Sequence, residues 1–160
     1  MKNTNIQHHH MLIRMETIKF PNKKDVPKFK KLIKKIISDI NMKILGGPFI
    51  YYLDKPVENK GITGICSIET SHLSFHIWET PEPGILQNPK SNALMQFDVY
   101  TCGNLTKDDA KLILEHLSIY LPTRIDVDIL DRKKSLKMKY HNHWNNNGKL
   151  LFDDWIKSKF

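Results

Sequence analysis

The sequence predicts an α+β fold. The expected architecture is a two-layer α/β sandwich, an antiparallel sheet with two helices on one face, dimerising through a sheet edge or face. Three observations carry this. Two segments repeat apolar residues at helical spacing, several others alternate with period two, and a run of strands separates the two helices. An antiparallel sheet can bury one face under helices and leave the other to water or a partner.

The elements follow in order. Residues 1–10, ending in His8, His9 and His10, read as a disordered tail, and "MLIRMETIKF" as the first strand. In "KKDVPKFKKLIKKIISDIN", Phe29, Leu32, Ile33, Ile36, Ile37 and Ile40 form one apolar stripe opposite a lysine-rich face. "KILGGPFIYYL" is a strand interrupted at Gly46-Gly47-Pro48, and "DKPVENKG" is a loop. "ITGICSIE" and "SHLSFHIW" are successive strands with a bend near Glu69–Ser71. "ETPEPGILQNPKSNA" is a long loop, and "LMQFDVYTC" alternates as a strand. Thr106 and Asp109 form a capping-box signal ahead of a second helix, whose stripe is Ala110, Ile113, Leu114, Leu117 and Leu121, with Pro122 as its stop. "TRIDVDILD" is the last core strand, so the sandwich domain is expected over residues 11–134. Residues 135–160 are a basic, Asn-rich C-terminal extension ending in a helical "LLFDDWIKSKF".

Composition narrows the function classes. A chain of 160 residues with 40% hydrophobic and 26% charged content suits one globular domain. No apolar run approaches the ~20 residues that span a bilayer, and "MKNTNIQHHH" lacks the apolar core of a signal peptide, so the expectation is cytoplasmic with no membrane partner. Two cysteines, Cys66 and Cys102, are too few for a disulfide scaffold or a Cys-based zinc site, and read as reduced thiols, one buried and the other reactive. The net charge of +8 sits in "NKKDVPKFKKLIKK", "DRKKSLKMK" and the C-terminus, as solvated helix faces and chain ends do. No nucleic-acid motif accompanies it, and no nucleic-acid partner is expected.

The strands carry the chemistry. Alternation puts Leu73, Phe75 and Ile77 on one face and His72, Ser74, His76 and Trp78 on the other. In the next strand, Phe97, Val99 and Thr101 oppose Asp98, Tyr100 and Cys102. Neighbouring segments thus each offer a reactive face, although histidine and serine on a half-exposed strand are also common as hydrogen-bonded filler. A converging histidine and cysteine can act as an acid/base pair, with ordinary pKa values of roughly 6.5 and 8.5. No metal site is expected: His72 and His76 stand ~13 Å apart along a strand.

"GITGICSIETSHLSFHIWE" followed by "FDVYTCG" resembles the prokaryotic-type S-adenosylmethionine decarboxylase proenzymes. The matching positions are Gly61, Thr63, Gly64, Ser71, His72, His76, Trp78, Glu79, Asp98, Thr101, Cys102 and Gly103. The resemblance implies a pyruvoyl-dependent carboxy-lyase that makes its cofactor from Ser71 by breaking its own Thr70–Ser71 bond, and that works as a dimer of cleaved protomers. It implies that Ser71 attacks the Thr70 carbonyl, that Thr63 holds the tetrahedral intermediate, that His76 takes the α-proton of the ester, and that Cys102 protonates the decarboxylated carbon. The pyruvoyl ketone would take a substrate amine as a Schiff base and act as electron sink, feeding spermidine synthesis. Trp78 and Glu79 are the expected substrate-binding residues. Tyr51 and Tyr52 are further candidates for stacking on an adenine.

Three departures from the family pattern stand out. Thr70 occupies the position where relatives carry Glu, the loops before Gly61 and from Thr80 to Leu94 are longer, and the tail past Lys134 has no counterpart. They leave two alternatives beside S-adenosylmethionine decarboxylation: the same chemistry on a basic amino acid such as ornithine or arginine, or an uncleaved, inactive homologue serving as a regulatory or binding partner.

Overall fold

A computed structural model describes residues 6–145. Its elements are β1 (His9–Thr17), α1 (Val26–Asp39), β2 (Ile44–Leu53), β3 (Gly61–Ile68), β4 (Ser71–Trp78), β5 (Ala93–Thr101), α2 (Lys107–Leu117), β6 (Pro122–Asp131) and β7 (Lys137–Asn145). The strands form one seven-stranded sheet in the order β2-β3-β4-β5-β1-β6-β7, and every neighbouring pair is antiparallel.

The alternation decides which face is inside. Met11, Ile13 and Met15 of β1, Leu73, Phe75 and Ile77 of β4, Met95, Phe97 and Val99 of β5, and Ile125, Val127 and Ile129 of β6 are all buried. They join Phe29, Ile33, Ile36 and Ile37 of α1 and Ala110, Ile113, Leu114 and Leu117 of α2 in one core. Phe29 meets Phe75 edge-on at 4.9 Å, and Phe75 stacks on Phe97 at 5.9 Å. Such pairs add about 0.5–1.5 kcal/mol beyond the area they bury. The opposite face presents Arg14, Thr63, Ser74, His76, Gln96, Asp98, Asp126 and Asp128.

Local chemistry sets the element ends. Thr106 and Asp109 form the expected capping box on α2, and Asn22 and Asp25 form another on the 3₁₀ turn before α1. Gly47 has φ +90°, and the β2–β3 register shifts on both sides of Gly46, so the Gly-Gly-Pro segment is a bulge inside β2. Gly61 opens β3 at φ +147°, where a Cβ would lie 1.8 Å from the Ile77 carbonyl oxygen, so only glycine fits. Two residues, Glu69 and Thr70, turn β3 into β4.

The long loop after β4 is tied down from the sheet. Glu16, fully buried, accepts hydrogen bonds from the backbone N–H of Gln87 (3.0 Å) and Asn88 (2.8 Å) and pairs with Arg14 at 2.8 Å. Arg14 also donates to the Ile85 carbonyl at 2.7 Å. Burial alone would raise the Glu16 pKa, but these donors outweigh it and hold the carboxyl below its ordinary value.

Four details differ from the sequence reading. His9 and His10 belong to β1 rather than to a disordered tail, because both have strand partners on β5 and β6. The first strand stops at Thr17 instead of Phe20. Leu121 is not on the α2 stripe: the helix tightens into a 3₁₀ turn at Ser118–Tyr120, and Leu121, at φ 53°, stands 41% exposed. The described part of the C-terminal extension is a seventh strand, with Tyr140 buried opposite Ile129. The helix expected in "LLFDDWIKSKF" lies outside the described residues.

Candidate active site

The β3–β4 turn places a peptide bond under unusual restraint. The Thr70 carbonyl oxygen accepts two hydrogen bonds from one residue, the backbone N–H of Cys102 at 2.9 Å and its thiol at 3.1 Å. The Thr70 hydroxyl accepts from Thr101 Oγ1 at 2.8 Å, and Thr101 Oγ1 in turn accepts from the Gly103 N–H at 2.9 Å. The "TCG" segment therefore clamps Thr70 from both sides. Ser71 follows with φ 150°, a region that side chains other than glycine rarely enter and that costs of order 1–3 kcal/mol.

That backbone geometry brings neighbours together. Ser71 has the alternation parity of Leu73, yet its Oγ lies 3.2 Å from His72 Nδ1. The His72 ring stands edge-on to Tyr100 at 5.8 Å. Tyr100 has its hydroxyl 3.1 Å from His8 Nδ1 and carries the Arg132 guanidinium over its ring at 4.2 Å. Next along the face, Asp98 accepts from Ser74 Oγ at 2.9 Å and faces His10 at 3.6 Å. Burial would raise its pKa, but these donors hold it below the ordinary value.

A second cluster occupies the other end of β4. Thr63 pairs with His76 across β3 and β4. Thr63 Oγ1 donates to the Phe75 carbonyl at a long 3.5 Å. The His76 ring lies 4.0 Å from that of Trp78, and its Nε2 is buried with no hydrogen-bond partner. Burial pushes its pKa down, so the ring is neutral at pH 7 and able to accept a proton. Trp78 Nε1 donates to Asn59 Oδ1 at 3.0 Å. Glu79, only 9% exposed, faces Lys60 at 3.4 Å. Burial and the Glu79 carboxylate push the Tyr52 hydroxyl up to about 12.

A cavity of about 630 Å³ on the outer face takes in Thr63, Ser74, His76, Gln96 and Asp98. A smaller one of about 240 Å³ adjoins Trp78, Ile85, Leu94 and Gln96, below the tethered loop. Neither is lined by Ser71 or Cys102.

The predicted site residues thus fall into two groups. Thr70, Ser71 and Cys102 meet at one end of β4. Thr63, His76, Trp78 and Glu79 gather at the other. Ser71 and His76 are five strand residues apart, about 16 Å, so one chain does not bring them together. Tyr51, on β2, pairs with Thr63 and is 63% exposed on that outer face. Cys66 is buried, its thiol donating to the Gly46 carbonyl at 3.4 Å, and burial raises its pKa. Sequence reasoning gave His72 no role; its position next to Ser71 was the available signal, but the contact depends on the φ of Ser71.

Known proteins resemble this chain in sequence and in fold. Residues 9–133 match the S-adenosylmethionine decarboxylase family. An S-adenosylmethionine decarboxylase proenzyme of Picrophilus torridus is 32% identical over 87 residues, 54% of this chain and 55% of that protein. One of Thermoplasma acidophilum is 44% identical over 61 residues, 38% of this chain and 36% of that protein. The matches therefore span about half or less of these curated relatives. The crystal structure of the adenosylmethionine decarboxylase from Aquifex aeolicus superimposes with a TM-score of 0.55 at 20% identity, covering 86% of this chain and 98% of that one, and supports the fold. With the family match running from β1 to just past β6, the chain belongs to the S-adenosylmethionine decarboxylase family.

Proposed function

We propose that this chain is the precursor of a pyruvoyl-dependent decarboxylase of S-adenosylmethionine, serving polyamine synthesis in the cytoplasm. The observation that carries the reading is the Thr70 carbonyl, held by the Cys102 N–H and thiol next to Ser71 at φ 150°. Two donors on that oxygen would stabilise the charge that develops when the Ser71 hydroxyl attacks the carbonyl carbon. The strained φ raises the ground state of the bond to be broken. Thr70 fills the position of the relatives' Glu through its hydroxyl contact with Thr101.

A pyruvoyl group derived from Ser71 fits this place, and its ketone supplies the electron sink for loss of carbon dioxide. Cys102 is the proposed acid, because its thiol lies at the Thr70–Ser71 bond, next to the residue from which the pyruvoyl group would be made, and could deliver a proton to the substrate carbon held there. His76, neutral and with its Nε2 unpartnered, is the proposed base for the Ser71 α-proton, and Thr63 beside it the proposed donor to the tetrahedral intermediate. Trp78 and Glu79 are proposed to bind substrate in the cavities around them.

His76 and Thr63 reach Ser71 only from a second copy. The outer sheet face supports such a homodimer: Phe49, Tyr51 and Ile65 are all about half exposed or more, beside the polar cavity. A two-fold pairing of these faces would lay the His76 end of one protomer over the Ser71 end of the other.

The test is the intact mass of the purified protein. Two chains are expected, residues 1–70 and 71–160, the second beginning with a pyruvoyl group. A single chain that persists on incubation overturns the reading. Release of labelled carbon dioxide from S-adenosylmethionine, and not from ornithine or arginine, fixes the substrate.

A further inference from the structure

We propose that His72 is the base that starts self-processing, taking the proton of the Ser71 hydroxyl; this rests on the decarboxylase reading above. Among the described residues, the side-chain hydrogen bond recorded for Ser71 Oγ is to His72 Nδ1, at 3.2 Å. His76 is about 16 Å away along β4, and the Cys102 thiol is engaged with the Thr70 carbonyl. The His72 ring is placed by its neighbours. Tyr100 of β5 stands against it, positioned by His8 on one side and Arg132 on the other.

The step balances within one chain. As Ser71 Oγ bonds to the Thr70 carbonyl carbon, its proton passes to His72 Nδ1. The negative charge gathers on the Thr70 oxygen, under the Cys102 N–H and thiol. His72 then returns the proton to the Ser71 nitrogen as the carbon–nitrogen bond breaks. The product is an ester from the Thr70 acyl group to Ser71 Oγ, with a free Ser71 amine. Nothing is oxidised or reduced. Removal of the Ser71 α-proton and departure of the Thr70 carboxylate follow as the separate step assigned to His76, before water replaces the nitrogen as ammonia. Two histidines four residues apart on β4 thus divide the work. One acts within its own chain, and the other acts across the dimer.

Hydroxylamine at neutral pH separates the two steps because it cleaves esters and leaves peptide bonds intact under those mild conditions, Asn147–Gly148 included. The His76→Ala protein should stall at the ester and split with hydroxylamine into residues 1–70 and a chain beginning with Ser71. Adding His72→Gln should slow formation of the hydroxylamine-sensitive form about 100-fold, as loss of a general base does. Equal rates with and without His72→Gln overturn the proposal. A second background covers damage to the fold. With Ser71→Cys, the nucleophile is a thiol that ionises more readily and depends less on a base. There His72→Gln should slow thioester formation less than tenfold. If it slows both backgrounds equally, His72 has a structural role and the proposal fails. A wild-type chain that never yields the 71–160 fragment overturns the decarboxylase reading itself, whereas normal cleavage with no His72 effect overturns only the base assignment.

Discussion

The two ends of β4 are built from the same residue types by different means. At the Ser71 end, the chemistry is held by backbone: a two-residue turn, an N–H and a thiol on one carbonyl, and a φ of 150°. At the His76 end it is held by side-chain packing: an imidazole against Trp78 with its Nε2 unpartnered, and a half-buried Glu79 between Lys60 and Tyr52. The first end holds the bond proposed to rearrange. The second holds the proposed base beside a cavity that, among the described residues, Ser71 does not line. On the proposed function, the serine and the histidine of this strand would belong to two half-sites, completed by a second copy of the chain.

Substitutions test this division, beginning with the largest effect. Ser71→Ala should abolish cleavage, leaving one chain by mass spectrometry and no turnover. His76→Ala should also leave no mature enzyme alone. Co-expressed with Ser71→Ala, however, it should recover cleavage of the His76→Ala chain, since each partner supplies the end the other lacks. No recovery in a confirmed mixed dimer breaks the comparison. Cys102→Ala keeps the backbone N–H on the Thr70 carbonyl, so cleavage should continue while carbon dioxide release falls about 100-fold. Unchanged turnover would remove Cys102 as the acid.

Effects on the scaffold are smaller. Glu16→Gln leaves the Gln87 and Asn88 N–H groups with a weaker acceptor, and should cost about 1–2 kcal/mol in denaturant unfolding. It should also raise KM if the tethered loop shapes the pocket below Ile85. The carboxyl of Glu16 is held below its ordinary value of 4.5 in the fold. Its stabilisation is therefore fully present above that value and is lost as pH falls through the lower folded one. The wild type should lose stability over this acidic window, and Glu16→Gln should lose less.

Much of this was legible in local pattern. The period of two in "SHLSFHIW" gave the buried Leu73, Phe75 and Ile77, and the stripe Phe29, Ile33, Ile36 and Ile37 gave the core face of α1. The Thr106–Asp109 capping box gave the α2 start. These depend on neighbours in sequence. His9 read as tail because its burial comes from strands that lie far along the chain. Residues 137–145 hid a strand because few of their side chains turn inward, Tyr140 being the buried one. Leu121 fitted the helical period, but the 3₁₀ turn had already changed the angle. The Cys102 clamp on Thr70 was not legible at all, since a thiol's partner 32 residues away is set by register.

That register has a further consequence. The proposed cut falls in the turn between β3 and β4, where Gly61 through Ile68 stay hydrogen-bonded to Trp78 through Ser71. Breaking it removes almost no contact, so the folded protein would hardly register the loss. The unfolded protein would. Denatured, the mature molecule is two separate polypeptides that must find each other, and its refolding becomes dependent on concentration. Maturation would act as a ratchet: the enzyme folds once as a single chain, and afterwards its stability rests on never coming apart.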